Sequence, residues 1–333
     1  MLSPIGIIPQ AEIMCGRRME LFRNKKLRIF TKRNYSAAVT ACFSIENILL
    51  QSFRMIPRET INKAIDYILL HLTAQISVDD VADFCGWSKF YFCREFKRHT
   101  GQSVHSFIKR MRLEQITMKL KTSGRTISNI CLDYGISPSN FVPAFKKQQN
   151  ISPFYFRKES VRRSVEHDFF HSAADGKARL ASFEEVSAKV TIENLPDYFV
   201  IYERKIGSYH DMKNDWCVFM EKYQPVAKKG ALCFERTFDD PSCSDENRCL
   251  YDLCIEAEKD CPLENTCVIP GGKFAVYHFK GSHKEIYAAY QNMFNMWFPK
   301  SGAKFADRIG FDRYVYVNAD ATYMEIDLCF PVE

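Results

Sequence analysis

From Ser77 to Lys158 the chain writes one pattern twice, 49 residues apart. The first copy reads SVDDVADFCGWSKFYFCREFKRHTGQSVHSF and the second TISNICLDYGISPSNFVPAFKKQQNISPFYF. One offset pairs Gly86 with Gly135, Ser88 with Ser137, Phe92 with Phe141, Phe96 with Phe145, Lys97 with Lys146, Ser103 with Ser152 and Phe107 with Phe156. A register held this long marks a structural unit used twice.

Each unit reads as helix, turn, helix. Gly86 and Gly135 suit the left-handed conformation that reverses a chain. Ser88 and Ser137 are placed to cap the second helix by accepting its free N–H groups. Ala82, with Cys131 in its place in the second unit, is small enough for two helices to cross closely. The second helix should bury Phe92 and Phe96 and leave Lys89, Phe90, Cys93, Arg94 and Lys97 on its other face. Such a face suits a DNA groove: Arg94 can fork onto guanine O6/N7 and Phe90 can pack on a thymine methyl. Lys97 and Arg98 suit phosphates, which position a protein without reading sequence. A helical hairpin with a solvated basic face is the alternative. In the second unit Pro143 lies inside the expected recognition helix, where a proline costs about 3 kcal/mol. Ser139 and Asn140 remain as candidate base contacts there, and Lys146 and Lys147 as phosphate contacts. The first unit is therefore expected to dominate base reading.

Between the units, Val104–Thr122 should form one helix with Phe107, Ile108, Met111, Ile116 and Leu120 as its apolar stripe. About 18 residues at 1.5 Å each span roughly 27 Å, near the ~34 Å between successive major grooves. Upstream, MIPRETINKAIDYILLHL has the periodicity of another helix, with Thr60 as a candidate N-cap. Residues 1–54 carry 9 basic and 3 acidic residues and suggest no fold of their own. Met55 is a candidate native start; the alternative is a basic arm that adds non-specific DNA affinity.

The net charge of +6 conceals an asymmetry. Residues 55–160 hold 16 basic and 9 acidic side chains, whereas 161–333 hold 21 and 28. A basic module beside an acidic one suggests nucleic acid as partner of the first only. No secretory signal or membrane span is evident, so a cytoplasmic setting is expected, with the thirteen cysteines mostly reduced.

Residues 161–185 lose the helical pattern and read as a linker. From about Val186 the texture turns to strands: VTIENL, YFVIYERKI, ALCFERTF, CLYDLCIEAE, FAVYHFK, YVYVN and YMEIDLCF. Helical stretches near Ser208–Tyr223 and His283–Trp297 interrupt them. A weaker repeat at offset 74 pairs Gly207 with Gly281, Trp216 with Tyr290, Tyr223 with Trp297 and Pro225 with Pro299. The expected fold class is thus multidomain: an all-α double helix-turn-helix over 55–160, then an α+β domain of duplicated strand-helix-strand-strand units over 186–333. Six cysteines crowd between Cys233 and Cys267 without a C-x-x-C pair, so the usual zinc spacing is missing. C-x5-C at Cys243/Cys249 and Cys261/Cys267 leaves a thiol sensor open beside plain thiols. No catalytic motif stands out, and no cofactor or metal is expected.

VADFCGWSKFYFCREFK, the linking RLEQITMKLK and the closing ISPFYFRK resemble the AraC/XylS family of bacterial transcription regulators, over about Met55–Lys158. The resemblance places base-facing positions at Phe90, Cys93 and Arg94. It also shows two departures: Cys93 where a polar residue is usual, and Pro143 where arginine is common. The order, DNA-binding part first, looks like the Rob-type branch. ENLPDYFVIYERKIGSY, IPGGKFAVYHFKGSHKEIYAAY, WFPKSG and the terminal EIDLCFPV resemble the GyrI-like effector-binding domain. That likeness implies a cleft between two halves for small aromatic or cationic amphiphilic molecules. Such a cleft needs aromatic faces and a carboxylate, and the candidates are Tyr209, Trp216, Tyr290, Trp297, Tyr314, Glu325 and Asp327. Taken together, the resemblances imply a cytoplasmic regulator, an activator, that docks as a monomer on double-stranded promoter DNA, engages RNA polymerase and answers a small-molecule effector. A hydrolase or a sequestering binding protein in the C-terminal half is the alternative.

Overall fold

The computed structural model describes residues 55–166 and 180–333, apart from positions 242, 244, 307 and 319. The expectations for residues 1–54 lie outside the described residues.

Helix α1, Arg58–Leu70, begins the helical half. Pro57, not Thr60, is its N-cap: a proline at the boundary fixes φ and has no N–H to leave unpaired. Thr60 instead sits in the first turn, its N–H donating to the Pro57 carbonyl at 3.1 Å. Ile61, Ala64, Ile65 and Ile68 turn into the core.

The first unit is α2, Val78–Phe84, and α3, Lys89–Thr100. Ser77 and Asp80 close a reciprocal capping box on α2, which satisfies two otherwise free N–H groups. The second unit is α5, Ile127–Asp133, and α6, Pro138–Gln149. Gly86 and Gly135 take φ of 71° and 62°, so the turn requires glycine at both places. Ser137 caps α6 by accepting from Asn140 N–H; Ser88 occupies the N-cap of α3 without making that bond. The repeat extends into the packing. Phe92, Phe96 and Phe107 form a chain of rings with centroids 5.7 and 5.5 Å apart. Phe141, Phe145 and Phe156 repeat it at 5.3 and 5.2 Å. Ala82 and Cys131 are fully buried where the paired helices cross.

Helix α4, Val104–Thr122, joins the units over 19 residues, about 28 Å. Ser103 caps it through Ser106 N–H. Helix α7, Pro153–Val165, runs into the stretch expected to be a linker, and α8, Phe183–Ser187, closes it. The continuation has a cause: Ser164 is buried and donates to Gln291 Oε1 at 2.7 Å, tying α7 to the C-terminal half.

That half is one antiparallel sheet of eight strands in the order β1-β6-β8-β7-β3-β4-β2-β5. The strands are β1 Val190–Leu195, β2 Tyr198–Gly207, β3 Cys233–Thr237, β4 Cys249–Glu256, β5 Thr266–Ile269, β6 Gly272–Gly281, β7 Phe311–Val317 and β8 Met324–Pro331. The order is symmetric about the β7–β3 pair, and β2 and β6 are displaced by the 74 residues of the repeat. Each half therefore has one more strand than expected, and it is exchanged: β1 precedes β2 but pairs with β6, and β5 precedes β6 but pairs with β2. Helices α9, Met212–Tyr223, and α10, Ile286–Asn292, lie in corresponding places; a π-turn, Met293–Trp297, and the short α11, Phe298–Ser301, extend α10. Phe219 and Tyr223 of α9 pack on Ile201, Tyr251, Leu253 and Ile255. Met293, Phe294 and Trp297 pack on Ile326, Leu328 and Phe330. Side chains of the opposite parity, Val200, Phe234, Cys254, Phe311 and Cys329 among them, form a second apolar layer on the other face.

Candidate nucleic-acid interface and effector cleft

On α3 the expected face is open. Phe90 is 82% exposed, a cost no soluble core would accept, and Lys89, Arg94, Lys97 and Arg98 are exposed around it. Cys93 is half-buried. Three of the cations are parked within the unit. Lys89 Nζ lies 2.8 Å from Asp79, Arg98 Nε 2.9 Å from Glu95, and the Arg94 guanidinium 4.6 Å from the Tyr91 ring. The Lys89–Asp79 pair is exposed on both sides, and such pairs hold weakly and screen in salt. On α6 the face presents Ser139, Asn140, Val142, Pro143, Lys146 and Lys147. Pro143 stands inside the helix, in the place Arg94 has in α3, so this face carries the exposed Lys146 and Lys147 but no arginine that could fork onto a base.

A cleft of about 1400 Å³ is lined by Tyr209, Trp216, Glu235, Tyr290, Asp312 and Tyr314 of the C-terminal half, and reaches Leu69, Glu114, Met118 and Lys121 of the helical half. Its acids are residues the sequence reading passed over. Glu235 on β3 and Asp312 on β7 are direct cross-strand partners at the centre of the sheet. Trp216 Nε1 donates to Glu235 Oε2 at 3.2 Å and Tyr314 OH donates to the same oxygen at 2.9 Å. Tyr290 OH donates to Asp312 Oδ1 at 2.6 Å. The Trp216 and Tyr314 rings meet edge to face at 5.2 Å. Burial lifts the Glu235 carboxyl to about 7 against the pull of its two donors. Burial and the facing Glu235 charge hold Asp312 well above the carboxylate range. Two carboxyl groups so placed will not both ionise unless a cation enters. The signal for them was available: in ALCFERTF a glutamate alternates with Cys233 and Thr237 inside a strand, and in FDRYVYV an aspartate does the same.

Three expected ligand residues lie elsewhere. Trp297 is buried against Phe298 in the core beneath the sheet. Glu325 and Asp327 do share a face, but it is the face turned away from the helices, because the alternate positions Ile326 and Leu328 carry the helix packing. There Asp327 is held by Arg313 at 2.6 Å and His278 at 2.7 Å, and Glu325 by Lys280 at 3.0 Å. Tyr209 lines the cleft but spends its hydroxyl on Asp239 at 2.9 Å. Among the described residues no group of three His, Cys, Asp or Glu side chains could hold a metal ion. Burial pushes the Cys233 thiol to about 11 and raises Cys249 and Cys254 as well, which makes these thiols poor nucleophiles. Among the described residues no helix is long and apolar enough to cross a membrane.

Two family models match. Residues 67–159 match a helix-turn-helix domain and residues 188–333 a GyrI-like small molecule binding domain. The transposon Tn10 TetD protein of Escherichia coli is 34% identical over 92 residues, 27% of this chain and 67% of that protein. The right origin-binding protein of Escherichia coli K12 is 26% identical over 223 residues, 63% of this chain and 74% of that one, a span that takes in both halves. The transcriptional regulator Rob of Salmonella typhimurium is 36% identical over 91 residues, 27% of this chain. The chain spans only 32% of that relative's length, and 16% of another's. The chain belongs to the AraC family of regulators. Its helical half is that family's DNA-binding double helix-turn-helix, and its C-terminal half is a GyrI-like small-molecule-binding domain.

Proposed function

We propose that the protein is a sequence-specific, DNA-binding transcription regulator whose C-terminal cleft senses a lipophilic aromatic cation. The observation that carries the effector class is Glu235: a carboxyl buried between Trp216 and Tyr314, opposite a second buried acid, in a cleft of about 1400 Å³. Aromatic faces supply cation–π contact and the carboxylate supplies charge pairing. A neutral ligand would leave Glu235 no reason to ionise. On DNA, α3 reads bases through Phe90, Cys93 and Arg94 while Lys146 and Lys147 of α6 hold phosphate. One monomer docks in successive major grooves of an asymmetric promoter site. Activation is by contact with RNA polymerase.

The test uses tetraphenylphosphonium as probe and quenching of Trp216 as readout, alongside genome-wide footprinting with and without it. Quenching that Glu235→Gln abolishes, together with discrete sites on DNA, supports the reading; saturating probe that leaves Trp216 unquenched removes the effector class. For a hydrolase the central acids Glu235 and Asp312 are the first candidates, since Glu325 and Asp327 face away from the cleft. Mass spectrometry on an incubated ester of similar shape separates turnover from binding.

A further inference from the structure

Strand β3 delivers Glu235 to the cleft and then runs directly into a loop that grips the DNA-binding half. Phe238 is buried in the same apolar cluster as the helix-turn-helix core. Arg110 Nη1 donates to Asp239 Oδ2 at 3.1 Å, and Asp239 also receives the Tyr209 hydroxyl. Lys121 Nζ donates to Asp240 Oδ2 at 2.7 Å, and Gln291 Nε2 approaches the same oxygen at 3.3 Å. The Cys243 carbonyl accepts from Gln148 Nε2 at 3.0 Å and from Gln149 Nε2 at 2.6 Å. Arg110 and Lys121 stand about three turns apart on α4, and Gln148 and Gln149 end α6. One short loop thus holds the middle and the C-terminal end of the helix that joins the two reading units, and the end of the second recognition helix.

The grip is stiff. Asp239, Asp240 and Lys121 are buried, and separating one partner of a buried ion pair leaves an uncompensated charge. If the loop shifts, the helices must follow or the pairs must break. Both halves of the cleft reach this grip. Glu235 lies four residues before Asp239, which follows the end of β3 by two residues. Tyr290, which holds Asp312, is the chain neighbour of Gln291, which bonds Asp240, Lys121 and Ser164.

We propose that Phe238, Asp239 and Asp240, with Cys243, on the chain that leaves β3, are the element through which occupancy of the cleft changes DNA binding, with Asp239 and Asp240 as its positioning residues. The inference rests on reading the cleft as an effector site. A cation that draws Glu235 and Asp312 into a new arrangement biases the loop between two positions, and the loop carries α4 and α6 with it. Only a ligand that distinguishes the two positions alters DNA affinity.

The test uses the full chain. Lys121→Met with Asp240→Leu removes both charges at once, so no buried ion is left unpaired. Tetraphenylphosphonium binding is read by Trp216 quenching, and DNA affinity by mobility shift on a footprinted site. In the unaltered protein, saturating probe should change DNA affinity about fivefold or more, the lower end of ordinary coupling. Lys121 and Asp240 themselves line the cleft, so probe affinity is measured separately; in the double variant the change on DNA at saturating probe should vanish while Trp216 quenching still saturates. A double variant that keeps the full change overturns the proposal, as does an unaltered protein that binds the probe with no change on DNA. Absence of quenching would instead remove the effector reading. The coupling is then judged by hydrogen exchange: Glu235→Gln should alter protection in 104–122 and 138–149, and not when combined with the double variant. An effect confined to β3 overturns the proposal.

Discussion

Glu235 and Asp312 face each other across the central strand pair of the sheet, each capped by an aromatic hydroxyl, with Tyr314 on one and Tyr290 on the other. Their closeness makes the cleft proton-sensitive. Glu235, lifted to about 7, is largely protonated at pH 6 and largely ionised at pH 8. Affinity for a cationic probe should therefore rise roughly tenfold across that interval, with one proton released on binding. Calorimetry in two buffers of different ionisation enthalpy measures the proton directly. An affinity flat from pH 6 to 8 would refute the assignment.

The same group should leave a mark on stability. A carboxyl whose folded pKa is raised stabilises the fold below its ordinary range, and that contribution is lost as pH rises through about 7. Urea unfolding at pH 5 and pH 8 should show this loss. Glu235→Gln should flatten it, since an amide does not titrate.

Asp327→Asn serves as the contrasting substitution. It weakens a pair with Arg313 and His278 on the far face, so stability should drop by about 1–3 kcal/mol. Probe affinity should stay unchanged, and a tenfold loss would return Asp327 to the binding site.

On DNA the two units should behave unequally. Arg94→Ala should cost about 1–3 kcal/mol and relax base preference at one position. Asn140→Ala should cost less. Mobility shift on a footprinted operator compares them, and an equal or larger loss for Asn140 would mean that α6 reads bases after all.

Pro143→Ala should stabilise α6, by up to about 3 kcal/mol, by restoring the N–H that the Ser139 carbonyl lacks. Thermal unfolding reads the gain. Phe145→Ala, in the ring chain beneath, should lose about 3–5 kcal/mol.

The helical half was legible because its determinants are local. A glycine with positive φ, a capping serine and rings at helical spacing each act within a few residues, and the 49-residue register repeats them. The 74-residue register likewise announced two related halves. What it could not convey was pairing. β5 is four residues long and reads as loop, and the partners of β1 and β5 lie in the opposite halves. The carboxylates show the same limit. Strand alternation does put Glu325 and Asp327 on one side, but only the helix packing of Ile326 and Leu328 says which side. Glu235 and Asp312 are 77 residues apart and become a pair only through the β3–β7 register.

The exchanged outer strands have a consequence for how the sheet closes. Each half lends its first strand to the other, so a solitary half-length chain would have one edge of its sheet empty. Two identical copies would fill each other's gap and close the same eight strands about a true twofold axis. The exchange thus closes, inside one polypeptide, a sheet that two half-length chains would close only as a dimer. Within one polypeptide the two central acids need not match: a glutamate faces an aspartate across the pseudo-twofold axis, and the cleft is asymmetric at its centre.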